Sequence, residues 1–196
     1  VPWAALAQSV LLTSAEVVTA SKAPAIATCA TVLVEEVERR TGLRWTVVTS
    51  SRSETCIELA IASDGRPGPE GYVLTAAPNG RVTITGADAR GLLFGVGRFL
   101  RALEWAPGEA RLPAPMAETS TPDYPIRGHQ LGYRARANSW DAWTPEQFDQ
   151  FIRELALFGT NAIENIPFQD DQASPHMKLP RPEMNKKLSE ICARYD

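Results

Sequence analysis

From Pro24 to Thr41 apolar residues recur at helical spacing. Ile26, Ala30, Leu33, Val34 and Val37 share one face, and Glu35, Glu36, Arg39 and Arg40 form the opposite, wet face. Gly42 stands where a helix commonly ends. Elsewhere the period falls to two. Glu16 to Ala20 and Arg44 to Thr49 predict short strands, the second with Trp45 and Val47 on one side. Thr55 to Ala62 predicts a third, with Ile57, Leu59 and Ile61 in a row. Gly71 to Ala76 and Arg81 to Thr85 flank Pro78-Asn79-Gly80 as a hairpin, Val82 and Ile84 turned inward. A second helix runs from an Asp88 N-cap to Trp105, burying Leu92, Leu93, Val96, Phe99, Leu100 and Leu103. Gly91, Gly95 and Gly97 each weaken that helix by up to ~1 kcal/mol relative to alanine, so their use predicts close approach to a sheet.

Pro107, Pro113, Pro115, Pro122 and Pro125 then interrupt the pattern, and residues 107–123 read as a Pro-rich linker. Beyond it, Tyr124 to Tyr133 predicts a strand. Thr144-Pro145-Glu146-Gln147 is a capping box with proline at the first helical position. Phe148, Phe151, Ile152, Leu155 and Phe158 mark the apolar face of that helix, and Gly159 ends it. Thr160 to Ile166 predicts a buried strand, and Pro180 to Tyr195 a helix with Leu188 and Ile191 inward. Strand–helix–strand–helix order implies parallel pairing through a right-handed crossover.

The fold class expected is α/β. Residues 16–106 form a small α+β sandwich domain, and residues 124–196 an incomplete (β/α)8 barrel opening of β-α-β-α type. The second segment has room for about a quarter of a ~250-residue barrel. Residues 1–15 are expected to be a leader remnant or a disordered start.

Composition narrows the function. A net charge of −3 with scattered arginines argues against a nucleic-acid surface. Three distant cysteines and two histidines offer no metal-ligand spacing, so neither metal nor cofactor is expected. Cys29 and Cys56 could pair in an exported protein. No apolar run approaches the ~20 residues of a membrane span. Ala5-Leu6-Ala7 before Gln8 has the small-x-small form of a signal-peptidase site, which points to a secreted or periplasmic protein, and otherwise a cytoplasmic one. Gly95-Val96-Gly97 lies inside a helix, and Gly86 to Gly91 is followed by leucines, so neither is a nucleotide loop. Nothing matches His-Glu-x-x-His or Gly-x-Ser-x-Gly.

The remaining chemistry gathers near the ends of the two later strands. Asp170 and Asp171 are adjacent carboxylates able to hold sugar hydroxyls, or equally to sit in a solvated loop. Of Glu164 and Asn165, alternation sends one into the barrel, where a polar group needs a partner or a ligand. The Arg127 guanidinium suits bidentate bonds to hydroxyls or a carboxylate, or a structural ion pair. Tyr133, Trp140 and Trp143 offer aromatic faces for a sugar ring, or plain loop packing.

The run from Gly86 through Asp88, Gly91 and Gly97 to Leu100, after a hairpin and before a Pro-rich link into Tyr124-Pro-Ile-Arg-Gly128, resembles the zincin-like domain preceding the catalytic barrel of glycoside hydrolase family 20 β-N-acetylhexosaminidases. Similar domains precede the barrels of α-glucuronidases and family 84 hexosaminidases. Ile126-Arg127-Gly128 and Asn161 to Gln169-Asp170-Asp171-Gln172 resemble the first two barrel strands of family 20. Gly132-Tyr133 and Trp143-Thr144-Pro145-Glu146 resemble family 84. Asn161 to Asp170 is one residue longer than in either family, and Gln169 stands where family 84 has lysine. The resemblance implies a carbohydrate substrate, with Arg127 binding sugar hydroxyls and Asp170 and Asp171 lining the pocket. It also implies that the catalytic acid pair lies beyond Asp196, and that the 196-residue chain alone is inactive. A non-catalytic carbohydrate-binding or structural module of the same shape is the alternative.

Overall fold

The computed structural model describes residues 9–131, 142–165 and 176–196. The chain divides into two compact units, Val1–Asp123 and Tyr124–Asp196.

The first unit runs β1 (Val10–Leu11), β2 (Glu16–Val18), α1 (Pro24–Thr41), β3 (Thr46–Val48), β4 (Cys56–Ile61), β5 (Tyr72–Ala76), β6 (Val82–Gly86), α2 (Ala89–Ala102), β7 (Glu104–Ala106), β8 (Glu109–Leu112) and β9 (Met116–Ser120). A six-stranded sheet has the order β3-β2-β4-β6-β5-β9. The first four strands are parallel, and β5 and β9 are joined antiparallel. Val17, Ile57, Leu59, Leu74, Ala76, Val82 and Ile84 are buried on one face, against which α1 and α2 pack while touching each other. The other face leaves Ala60, Thr75, Ala117 and Thr119 exposed. This alternation is the period-two pattern of a sheet covered on one side.

Local signals hold at the helix ends. Gly42 leaves α1 at φ 77, in the left-handed region, and its N–H donates to the Glu38 carbonyl. Asp88 caps α2 by accepting from the Gly91 N–H at 2.8 Å. The glycines of α2 are there for contact. A Cβ on Gly91 would lie 2.1 Å from the Gly71 carbonyl oxygen, and one on Gly95 would lie 2.6 Å from Ile84 Cγ2.

Several expectations need correction. Residues 107–123 are not an irregular linker, because β8 and β9 are strands of the first unit. Alternation buries Ala110 and Leu112, and the prolines at 113 and 115 fall between the two strands, where no ladder bond is lost. The start is also folded from Val10. β1 pairs antiparallel with β8, Leu12 and Ala15 are buried, and Trp45 Nε1 donates to the Leu12 carbonyl at 2.9 Å. The order β1-β8-β7 makes a second, three-stranded sheet. It touches α1, which explains why Glu36, expected on the wet face, is fully buried. Arg39 and Arg40 both donate to that carboxylate, and Arg40 also lies 5.4 Å over the Trp105 ring. A buried acid is tolerable only with such partners. Trp45 is buried but Val47 is 49% exposed, because β3 is the edge strand.

The second unit contains β10 (Gly128–Gln130), α3 (Pro145–Leu157), β11 (Ala162–Glu164) and α4 (Arg181–Arg194). β10 and β11 are parallel, and α3 and α4 pack together. The Thr144–Gln147 capping box is formed in both directions. Trp143 adds a hydrophobic staple, its ring edge-on to Phe148 at 5.4 Å. Phe148 and Ile152 are buried as expected, as are Leu188 and Ile191 on α4, joined there by Met184. Phe158, expected on the apolar face, is 71% exposed, because α3 ends at Leu157 and the chain turns away at Gly159 (φ 98).

Candidate functional site on the β10–β11 pair

The parallel register sets Gly128 beside Ala162, His129 beside Ile163 and Gln130 beside Glu164. The His129 ring meets Phe151 of α3 edge-on at 5.4 Å, and Leu131 is fully buried. The row through His129 and Ile163 therefore faces the helix. Strand alternation turns Gly128, Gln130, Ala162 and Glu164 to the opposite face. Gln130 and Glu164 are exposed there. The Leu131 N–H donates to the Glu164 carbonyl at 3.1 Å, extending the ladder to the C-terminal ends of both strands.

This resolves the alternative posed by Glu164 and Asn165. Glu164 points to the free face. Asn165 turns toward α4, its Nδ2 donating to Ser189 Oγ at 3.4 Å while its buried Oδ1 has no hydrogen-bond partner. Asn165 and Glu164 thus do not act on one ligand side by side. Gln130 is the residue that does share the face with Glu164. Sequence reading passed over it, because its only signal is cross-strand register, which requires the pairing to be known.

Arg127 lies at the other end of the strands. Its Nε donates to the Gly159 carbonyl at 2.7 Å and its Nη1 to the Tyr124 carbonyl at 2.6 Å. Its backbone N–H donates to Asn161 Oδ1 at 2.8 Å, and Asn161 Nδ2 donates to the Pro125 carbonyl at 2.9 Å. The structure does not bring Arg127 together with Glu164. The turn after α3 exposes a carbonyl that the planar guanidinium satisfies, and the arginine clamps the strand entries instead. Tyr133, Asp170 and Asp171 lie outside the described residues, as does Trp140. In chain order Tyr133 follows β10, and the two aspartates follow β11. Trp143 packs against Phe148 and Phe151 rather than presenting a face to a ligand.

The motif Gly86 to Gly91 also proves to be scaffold. Asp88 accepts from the Glu70 N–H as well as from Gly91, Arg90 pairs with Glu70 at 3.0 Å, and the Ala87 N–H donates to the Gly71 carbonyl. Glu70 itself sits at φ 57, held there by these bonds. The three cysteines are unpaired. Burial pushes the Cys29 thiol up to about 12, and burial foremost raises Cys56, with Arg81 opposing it. Among the described residues no three His, Cys, Asp or Glu side chains converge as metal ligands. No helix among them is long and apolar enough to cross a membrane.

A family model described as glycosyl hydrolase family 20, domain 2, matches residues 2–117. No curated protein sequence matches the chain. Among solved structures, a mutant Streptomyces plicatus β-hexosaminidase in complex with the product GlcNAc superposes with a TM-score of 0.71 at 20% identity, over 95% of this chain and 40% of that one. A family GH20 exo-β-N-acetylglucosaminidase from Vibrio harveyi gives 0.65 at 15% identity, over 95% of this chain and 32% of that one. A family GH115 4-O-methyl-α-glucuronidase with specificity for decorated arabinogalactans gives 0.60 at 14% identity, over 92% and 28%. The chain spans less than half the length of each of these proteins.

Proposed function

Because the chain belongs to glycosyl hydrolase family 20, with domain 2 of that family as its matching part, we propose that it is the N-terminal part of an enzyme cleaving amino-sugar or uronic-acid glycosides. The first unit is the scaffold domain. The second opens a (β/α)8 barrel. Cleavage proceeds through an oxocarbenium-like transition state, with a carboxyl group protonating the leaving oxygen. That acid and its partner belong to later barrel strands beyond Asp196. The observation that carries the reading is Glu164. It stands exposed on the helix-free face of a parallel strand pair, at the strands' C-terminal ends, where such barrels hold their chemistry. Tyr133, Asp170 and Asp171 follow those same ends in the chain and complete the proposed sugar site. Arg127 serves it as a strand-entry clamp. The small-x-small segment Ala5-Leu6-Ala7 motivates export.

The test is hydrolysis of chromogenic N-acetylglucosaminides and glucuronides. The full-length protein is expected to cleave one class and the 196-residue chain neither. Cleavage by the short chain at the full-length rate would sink the proposal. A second reading, a non-catalytic carbohydrate-binding module, draws on the family match ending at residue 117, short of the second unit. Sugar binding by a full-length protein that hydrolyses neither class would favour it.

A further inference from the structure

We propose that Gln130 and Glu164 act together as a charge-selecting pair, favouring an uncharged amino sugar over a uronate at the sugar face. The inference rests on the reading above, that this face meets the sugar, and narrows the two substrate classes it leaves open.

Four features carry it. Gln130 and Glu164 are in register on neighbouring strands, which places their side chains about 5 Å apart at the base. Both are exposed on the face away from α3. The preceding row is Gly128 and Ala162, and a Cβ added to Gly128 would come no closer than 3.8 Å to Ala162, so the floor beside the polar pair is low. A sugar ring can lay its C–H surface on that floor and direct adjacent hydroxyls to the pair. The amide offers a donor and an acceptor, the carboxylate only acceptors. Together they suit hydroxyl and N–H donors and carry one negative charge.

No compensating cation meets that charge among the described residues. No hydrogen bond or ion pair reaches the Glu164 carboxylate there, and the donors of Arg127 are turned to carbonyls at the opposite end of the strands. His129 faces α3. A sugar carboxylate bound some 6 Å from Glu164 is repelled, and at the dielectric of a half-open site this amounts to roughly three- to tenfold in affinity. A neutral N-acetyl sugar suffers no such repulsion and gives its amide N–H to the carboxylate.

The experiment is calorimetric titration of the full-length protein with methyl N-acetyl-β-glucosaminide and methyl β-glucuronide. The unchanged protein is expected to favour the neutral sugar. Glu164→Gln, which keeps shape and removes charge, is expected to shift the ratio of dissociation constants toward the uronide by about three- to tenfold. Gln130→Glu is expected to shift it the opposite way, so the proposal remains testable if the first variant fails to fold. A ratio unchanged in both variants, or both affinities falling together, overturns the charge-selection role while leaving the sugar-face reading intact. Failure of the unchanged protein to bind either sugar overturns that reading, and this inference with it.

Discussion

Gly91→Ala tests the packing logic of the first unit. The substitution adds one methyl group in a helix, where alanine is otherwise the better residue by about 1 kcal/mol. Here the new carbon would sit 2.1 Å from the Gly71 carbonyl oxygen and 3.0 Å from the Glu70 carbonyl carbon. Relief needs a backbone shift of roughly 1 Å, since ordinary carbon–oxygen contact is above ~3 Å. The neighbouring backbone resists such a shift. Gly71 accepts from the Ala87 N–H at 2.8 Å and donates to the Gly68 carbonyl at 2.9 Å, while the Glu70 N–H donates to Asp88. Overpacking costs typically 1–3 kcal/mol, and a displaced buried hydrogen bond about 1–3 kcal/mol more. After the helix gain is subtracted, the expected net loss is about 2–4 kcal/mol. Urea unfolding followed by tryptophan fluorescence, with Trp45 buried in this unit, measures it. With a slope near 2 kcal/mol/M, the midpoint should fall by about 1–2 M. Gly108→Ala is the control, since its Cβ meets nothing within 4 Å and only its φ of 72 is costly, by about 1–2 kcal/mol. A Gly91→Ala protein as stable as the parent would refute the account of why α2 contains glycine.

Two further outcomes follow from the same geometry. Arg127→Ala is expected to loosen the second unit by about 1–3 kcal/mol, seen as faster amide exchange in α3 and β11, and Arg127→Lys should not restore it, because one ammonium lacks the planar fork that serves two separate carbonyls. Unchanged exchange in Arg127→Ala would remove its clamp role. For pH, the Cys29 thiol is raised by burial to about 12, so the folded chain keeps a proton that the unfolded chain releases above the ordinary thiol range. Stability from this group is therefore intact below that range and declines as pH climbs toward 12, by up to ~1.4 kcal/mol per unit, and Cys29→Ala should flatten the decline measured by denaturation at successive pH values.

Helix limits were legible in the chain itself. Pro24 and Gly42, Asp88, and the Thr144–Gln147 box act within one or two turns, and short-range stereochemistry is encoded where it acts. The hairpin, the parallel pairing of the later strands and the glycine-lined approach of α2 were legible for the same reason: periodicity reports which face is covered. What covers it is not encoded locally. Only the tertiary structure turned residues 109–120 from apparent linker into sheet, because strand status there depends on partners at Val10–Leu11 and at β5, distant in sequence. It buried Glu36 by laying β7–β8 beside α1, and it aimed the Arg127 fork at the Gly159 carbonyl instead of at a ligand. Residue type limits what a side chain can bond; the direction it points, and hence whether Gln130 joins Glu164 while Asn165 joins Ser189, is decided by register and by which helix packs on which side.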